Sequence, residues 1–355
     1  MGQATSNMPD RTKRLVILRF SALGDVALTA PVLLGFLKAY PDHVLTVVTR
    51  PKYSPIFKNL TRVQVLEAQL QGEHKGIIGL FRLYKSIREL QPKAIVDLHN
   101  VLRTKILRFF LGFHSVKIKA INKGRADKRS LTRSENKILR PLKHTAKRYK
   151  EVFEDLGFNF DLNNTHTLPS RPMPVNIPDI ANSKGKLLGF APFAAHEGKM
   201  YSLEKLENVI KGLTSQLNCT ILCFGGGNKE QAAIEHWAKE FPNCYNLIGK
   251  VSFAEELDVI SNLDLMLSMD SGNGHLAAIF GVPTLTLWGI THPYAGFAPY
   301  GQPEENSLLA DIAKFPKVPT SIYGNACPPG YEEAINTISE DAIISKIKAI
   351  LGHIT

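Results

Sequence analysis

A strand-then-helix alternation runs through the chain, lapses, and starts again, and no other feature restricts the fold as strongly. "RLVILRF" reads as a strand, "ALTAPVLLGFLKAY" as a helix and "VLTVVTR" as a strand. "LFRLYKSIREL" has helical spacing, "PKAIVDLHN" is a strand ending in polar residues, and the helix "TAKRYKEVFEDLG" is closed by Gly157. Near-continuous apolar strands between helices predict a parallel sheet covered on both faces. Residues 161–185 are rich in Pro, Asn and Ser and carry no periodicity. The alternation then resumes at "KLLGFAPF" and runs through "CTILCFGGG", "DLMLSMD" and "PTLTLWG", each followed or preceded by a helical segment, to a last helix, "SEDAIISKIKAILG". The expectation is an α/β protein of two Rossmann-like domains. Residues 1–165 form the first, with a basic region at 101–150; 166–185 are a linker, 186–338 the second domain and 339–355 a C-terminal helix.

The 355 residues, 44% of them hydrophobic, suffice for two cores. No stretch reaches the roughly 18 uninterrupted apolar residues of a membrane span; Ala277 to Ile290 comes nearest, and it is short and holds a Pro. Arg19 and Asp25 break the apolar run that a secretory signal would need after Lys13 and Arg14, so a cytoplasmic protein is expected. Met1-Gly2-Gln3-Ala4-Thr5-Ser6 fits the myristoylation pattern, but residues 1–12 read as a ragged tail. Cys219, Cys223, Cys244 and Cys327 lack metal-ligand spacing, and the first two sit in an apolar strand as small hydrophobes.

The net charge of +11 is unevenly placed. From Val101 to Lys150, 16 lysines and arginines face only Asp127 and Glu135. A solvated face is one reading. The other is a surface for an anionic partner, since one-sided charge otherwise adds only repulsion. Nucleic acid, a phosphorylated substrate and a membrane surface all meet that description.

Two strand–helix turns carry the chemistry. In "LMLSMDSGNGHLAAIFG", Asp270 ends a strand, Ser271, Gly272, Asn273 and Gly274 make a small-residue turn, and His275 falls in the first helical turn. Small residues let backbone N–H groups approach an anion at a helix N-terminus, and a pyrophosphate suits that place. An ordinary turn capped by Asp or Ser fits the spacing as well. In "LRFSALGDVALTAP", the turn from Ser21 to Asp25 delivers one carboxylate between the first strand and the first helix.

These two segments resemble the bacterial heptosyltransferases of glycosyltransferase family 9. Asp270-Ser271-Gly272-Asn273-Gly274-His275 is similar to their Asp-(Ser/Thr)-Gly-x-x-His signature, and "SALGDV" to their Ser-x-x-Gly-Asp-(Val/Ile). The resemblance spans the chain from about Arg14 to the final helix. It implies the GT-B fold, two Rossmann-like domains facing each other across a cleft. It also implies transfer of heptose from ADP-heptose to an anionic lipopolysaccharide inner-core acceptor, with contact at the inner-membrane surface and no nucleic-acid partner.

Site roles follow from the resemblance residue by residue. Asp25 would be the general base, with Gly24 permitting the turn and Ser21 bonding locally; an N-cap role is its structural alternative. Lys199, in "APFAAHEGKMYSLEKLENVI", would hold donor phosphate against the charge building on departing ADP. Ala194 and Ala195 stand where the family often has Ser or Thr, which leaves the donor sugar open. Glu230 would accept from ribose hydroxyls or simply favour its helix dipole. Leu247, Ile248 and Gly249 would flank adenine. Asp270 would contact donor sugar hydroxyls or order its loop, and His275 would bind phosphate or hold the turn from inside. His99 would shape the acceptor site beside Lys123, Arg125, Lys128 and Arg129. No Asp-x-Asp occurs anywhere, so neither a metal nor another cofactor is expected.

Three other readings compete. A same-fold transferase using a different nucleotide sugar shares all these features. A nucleic-acid-binding protein lacks a helix-turn-helix, zinc or RNP-like pattern here, and Phe109, Phe110 and Phe113 read as core. A dinucleotide oxidoreductase would need Gly-x-Gly-x-x-Gly where the chain has "FSALGDV".

Overall fold

The computed structural model describes residues 13–163, 167–174 and 185–352. The myristoylation pattern and most of the expected linker lie outside the described residues. The chain divides into two compact units, Met1–Lys123 with Ala146–His166, and Gly124–Thr145 with Thr167–Thr355.

The first unit is built on five strands, β1 (Arg14–Leu18), β2 (Val44–Thr49), β3 (Val63–Glu67), β4 (Ala94–Asp97) and β5 (Lys117–Ala120). They form one parallel sheet in the order β3-β2-β1-β4-β5. Its helices are α1 (Leu23–Ala27), α2 (Thr29–Ala39), α3 (Gly76–Glu89) and α4 (Leu102–Leu111). α5 (Arg125–Thr132) packs with the second unit, and α6 (Thr145–Glu154) lies almost wholly in the first. β1, β2 and β4 are buried along their whole length, which is why they read as near-continuous apolar runs. On one face Val16, Leu18 and Ile95 meet Leu80, Leu83 and Ile87 of α3 and Leu107 and Leu111 of α4.

The second unit has six parallel strands, β6 (Lys186–Ala191), β7 (Cys219–Cys223), β8 (Cys244–Asn246), β9 (Leu265–Met269), β10 (Thr284–Trp288) and β11 (Ser307–Leu309). Their order is β11-β10-β9-β6-β7-β8. The helices are α7 (Leu203–Gln216), α8 (Asn228–Glu240), α9 (Phe253–Ile260), α10 (Gly272–Ile279) and α11 (Glu340–Gly352). Both sheets follow the doubly wound Rossmann order, in which the crossovers change face between two neighbouring central strands. The C-terminal helix is not a separate element. Ile343, Ile344 and Ile347 of α11 join Leu206, Val209 and Leu213 of α7 in the second unit's core.

Two expectations need correction. The basic region was assigned whole to the first domain, yet residues 124–145 belong to the second unit. Tertiary bonds decide this: Leu142 N–H donates to the Tyr294 carbonyl at 2.9 Å, Thr145 N–H to Gly296 at 2.8 Å, and Lys137 Nζ to Pro319 at 2.8 Å. Phe109 and Phe113 are not core; they are 65% and 72% exposed, because α4 turns Thr104, Leu107 and Leu111 inward instead.

Candidate active site

In open α/β sheets a ligand crevice opens beyond the strand carboxyl ends, where the crossovers change face. In the first unit that point lies between β1 and β4, whose last residues Leu18 and Asp97 are register partners. Asp25 and His99 both follow these strands. Asp25 occupies the third position of α1 and Ala22 the N-cap, so Asp25 caps the helix, if weakly, from inside its first turn by accepting from Ala22 N–H. Gly24 sits inside α1 and takes helical backbone, which removes the turn-forming role expected of it.

The Asp25 carboxylate is oriented from three sides. Arg19, 6% exposed just after β1, pairs through Nη2 with Asp25 Oδ2 and donates through Nη1 to the Leu98 carbonyl at 2.6 Å. Ala22 N–H reaches Oδ2 at 3.4 Å, and the Tyr149 hydroxyl donates to the Asp25 carbonyl at 3.2 Å with Oδ1 3.5 Å away. One carboxylate oxygen is thus tied to Arg19, while the side chain keeps 18% exposure. Ser21 is half-buried beside this turn.

His99 Nδ1 lies 3.4 Å from Phe20 N–H. Burial, then the positive charge of Arg19, Lys123, Arg50 and Arg103, pulls the imidazole down to about 3, so it is neutral at pH 7. Its loop is shaped by Asp97, wholly buried, which accepts from the N–H groups of His99 at 3.0 Å and Asn100 at 2.8 Å and pairs with Arg108 Nε at 3.1 Å. Arg19, Tyr149 and Asp97 were not singled out from the sequence. The one available signal was a charge, Arg19, set directly after the apolar run Leu15–Leu18.

In the second unit the corresponding point lies between β6 and β9. Lys199 follows β6 and Asp270 follows β9, and they form an ion pair of 3.0 Å with side chains only 11% and 12% exposed. The Lys199 stem runs along Gly324, whose φ of +91° and lack of a side chain admit it: a Cβ there would stand 2.3 Å from Lys199 Cδ. Ser271 is the N-cap of α10, but its Oγ is buried with no hydrogen-bond partner and makes no cap bond. Neither Asp270 nor Ser271 therefore acts as an ordinary cap. The first-turn N–H groups of Gly272, Asn273 and Gly274, which no helix satisfies internally, point out of the N-terminus. Gly274 lets α10 close on β9, since a Cβ would stand 2.5 Å from Ser268 Oγ. His275 is buried, edge-on to Phe297 at 6.5 Å between ring centroids.

A third corner forms after β7. Glu230, in the first turn of α8, accepts from Gly226 N–H at 2.7 Å. A Cβ at Gly225 would lie 2.7 Å from Glu230 Oε2, 2.9 Å from Ile248 Cδ1 and 3.0 Å from Phe193 Cδ2, so these three side chains converge. Phe193 is a further wall residue that sequence reasoning passed over. Leu247 is buried with its N–H on the Cys223 carbonyl, and Gly249 turns the chain with φ +73°. Among the basic residues, Arg125 and Arg129 are exposed and Lys123 is half-buried. Lys128 packs within the second unit, 4.9 Å from the Phe297 ring centroid and 5.2 Å from that of Tyr323. Among the described residues, no group of three or more His, Cys, Asp or Glu side chains is placed to hold a metal ion.

The sequence model of glycosyltransferase family 9 (heptosyltransferase) matches residues 80–324. The chain belongs to this family. It is a glycosyltransferase with the fold of the solved family structures. A family 9 glycosyltransferase from Veillonella parvula superposes with a TM-score of 0.74 at 20% identity, covering 96% of this chain and 98% of that one. The Escherichia coli heptosyltransferase WaaC with ADP gives 0.67 at 19% identity, over 95% and 99%. Lipopolysaccharide heptosyltransferase 1 of Campylobacter coli is 25% identical, over 96% of this chain and 99% of its own length.

The loop at residues 271–275 is tied through Asn273 to a carboxyl whose charge changes with pH. Asn273 Nδ2 donates to Glu256 Oε1 at 3.0 Å, and burial lifts this carboxyl from the ordinary 4.5 to about 7 against the lowering effect of Asn273. Because the folded value lies above the unfolded one, the stability Glu256 contributes is complete below pH 4.5 and lost as pH rises through 7. Glu256→Gln, neutral throughout, is expected to stabilise the protein at pH 8 by on the order of 1–3 kcal/mol and hardly at pH 4. Denaturant titrations at both pH values check this; an equal difference at the two would exclude the titration.

Proposed function

We propose that the chain transfers a heptose, or a closely similar sugar, from ADP-heptose to a phosphorylated lipopolysaccharide inner-core acceptor, with inversion and without a metal. The observation that carries this is the buried Lys199–Asp270 pair beside an uncapped α10 N-terminus. A cation, an uncapped helix N-terminus and the Glu230–Ile248–Phe193 corner suit phosphate, ribose and base of one nucleotide. The named relatives support the substrate: curated lipopolysaccharide heptosyltransferases match, and WaaC was solved with ADP and with ADP-2-deoxy-2-fluoro heptose.

In this reading Asp25 removes the acceptor proton, the freed oxygen attacks the anomeric carbon, and ADP departs with Lys199 and backbone N–H groups opposing its charge. Asp270 and Ser271 meet the donor sugar, and His275 holds the turn from inside. Lys123, Arg125 and Arg129 attract the anionic acceptor, and in this reading the two meet at the cytoplasmic face of the inner membrane. Incubation with a panel of nucleotide sugars, scored by released nucleotide, tests the donor. ADP-heptose turnover is expected; turnover of a UDP- or GDP-sugar alone would overturn it in favour of a same-fold transferase.

Charge reversal at Arg125 and Arg129 is expected to raise the acceptor KM several-fold and flatten its salt dependence, as exposed charges act through a field screened within about 8 Å. Lys128 does not belong in that experiment. Its ammonium rests on Phe297 and Tyr323, so its replacement disturbs the second unit directly. Acceptor kinetics at low and high salt check this, with unchanged KM returning these arginines to a solvated face.

A further inference from the structure

Six of the eleven large apolar side chains exposed among the described residues lie on α3, α4 and the turn after α4. On α3 these are Ile77, Ile78 and Phe81, at 67%, 74% and 40% exposure; at α4 they are Leu102, Phe109 and Phe113. They are not scattered. Phe81 meets Phe110 edge-on at 5.4 Å, Phe110 meets Phe109 at 5.8 Å, and Phe109 meets Phe113 at 5.1 Å, a continuous aromatic chain from one helix to the other. Ile77 and Ile78 precede Phe81 by four and three residues, so they share its helix face. A contiguous apolar patch of this kind on a soluble unit marks an interaction surface.

Charge decides the partner. Residues 75–119 hold ten lysines and arginines against Glu89 and the buried Asp97. Lys85 Nζ lies 5.1 Å from the Phe81 ring centroid, and Lys105 is exposed one helical turn before Phe109. A second copy of this face would set cation against cation. An anionic lipid surface matches both parts: aromatic and aliphatic tips enter the headgroup–acyl boundary while flanking cations meet lipid phosphate.

We infer that the exposed α3–α4 face of the first unit, centred on Phe81, Phe109 and Phe113 with Lys85 and Lys105, docks peripherally on anionic phospholipid bilayers. The inference names the membrane-contacting surface of the proposed enzyme and rests on that reading for its purpose, since a lipid-borne acceptor is met at a bilayer. The binding itself rests on the surface alone. None of these residues belongs to the candidate active site.

Co-sedimentation of the full chain with phosphatidylglycerol–phosphatidylcholine vesicles, and with phosphatidylcholine alone, tests it. Wild type is expected to bind the anionic vesicles and leave the neutral ones largely in solution. Phe109→Ser with Phe113→Ser is expected to lower the partition coefficient roughly tenfold or more, as two large apolar side chains are withdrawn from the lipid. Thermal unfolding and transfer to a soluble, delipidated acceptor should stay as in wild type. Equal binding by wild type and the double variant would overturn the inference. So would a concentration-dependent dimer that the variant loses, without vesicle binding. Vesicle binding with no sugar transfer would sink the proposed function and leave this surface standing; transfer without vesicle binding would do the reverse.

Discussion

Asp25→Asn is expected to lower sugar transfer by roughly 10²–10⁴, the usual worth of a general base, with donor affinity nearly unchanged. Asn is isosteric and its amide oxygen still accepts from the Arg19 guanidinium, so the α1 turn keeps its shape while the proton acceptor is lost. Arg19 keeps its bond to the Leu98 carbonyl, but its buried guanidinium loses its counter-charge, so thermal stability is expected to fall while the fold is retained. Steady-state transfer, with calorimetric donor titration and thermal unfolding alongside, separates the outcomes. A variant that transfers at the wild-type rate would leave Asp25 as no more than the structural partner of Arg19. A variant that simply unfolds would be read through Asp25→Glu, which keeps the charge and moves the carboxylate by one methylene; a strong loss there with the fold intact still assigns the proton transfer to Asp25's position.

The central strands were legible because burial on both faces writes them as short, mostly apolar runs between turn signals: "RLVIL", "VLTVVT" and "LMLSM". The edge strands were not. β3, "VQVLE", and β5, "KIKA", alternate polar with apolar residues because one face meets solvent, and lysines at a sheet edge discourage further pairing. Membership of a segment in one unit or the other is likewise not a local property. Residues 124–145 are tied to Tyr294, Gly296 and Pro319, more than 150 residues onward, and no periodicity announces such partners.

The candidate site divides along the same line. Asp25, Lys199 and Asp270 were singled out on the resemblance to family 9, and each follows a central strand, β1, β6 and β9, on the side where open α/β sheets present ligand crevices. Arg19 looked like an interruption of an apolar run, and Tyr149 like one position of an amphipathic helix. Their roles exist only once β1 and α6 are packed, when the guanidinium and the hydroxyl reach the same carboxylate. The exposed Phe109 and Phe113 misled in the opposite sense, since hydrophobicity alone does not say which face of a helix turns inward.

Lys199→Ala is expected to weaken ADP-sugar binding and slow transfer more than lysine-to-alanine changes within residues 101–150. The exposed lysines there act through solvent, whereas Lys199 is 9% exposed and points its ammonium at Asp270 from 3.0 Å. An ammonium has three N–H donors, so one can hold Asp270 while others meet a diphosphate in the same low-dielectric setting. Removing it also leaves the Asp270 carboxylate buried without its partner, a loss that runs to about 3–5 kcal/mol for such pairs. Stability and donor binding therefore have to be told apart, and Lys199→Ala combined with Asp270→Asn does so. The double variant carries no orphan charge and should regain much of the lost thermal stability, while its affinity for the ADP-sugar stays low. Recovery of donor affinity together with stability would make Lys199 a structural counter-ion only. The same titrations run in EDTA address the metal: if Lys199 and the α10 N-terminus bear the phosphate charge, chelation changes neither affinity nor rate. Activity lost in EDTA and restored by Mg²⁺ or Mn²⁺ would instead assign part of that charge to a divalent ion, and the effect of Lys199→Ala would shrink accordingly.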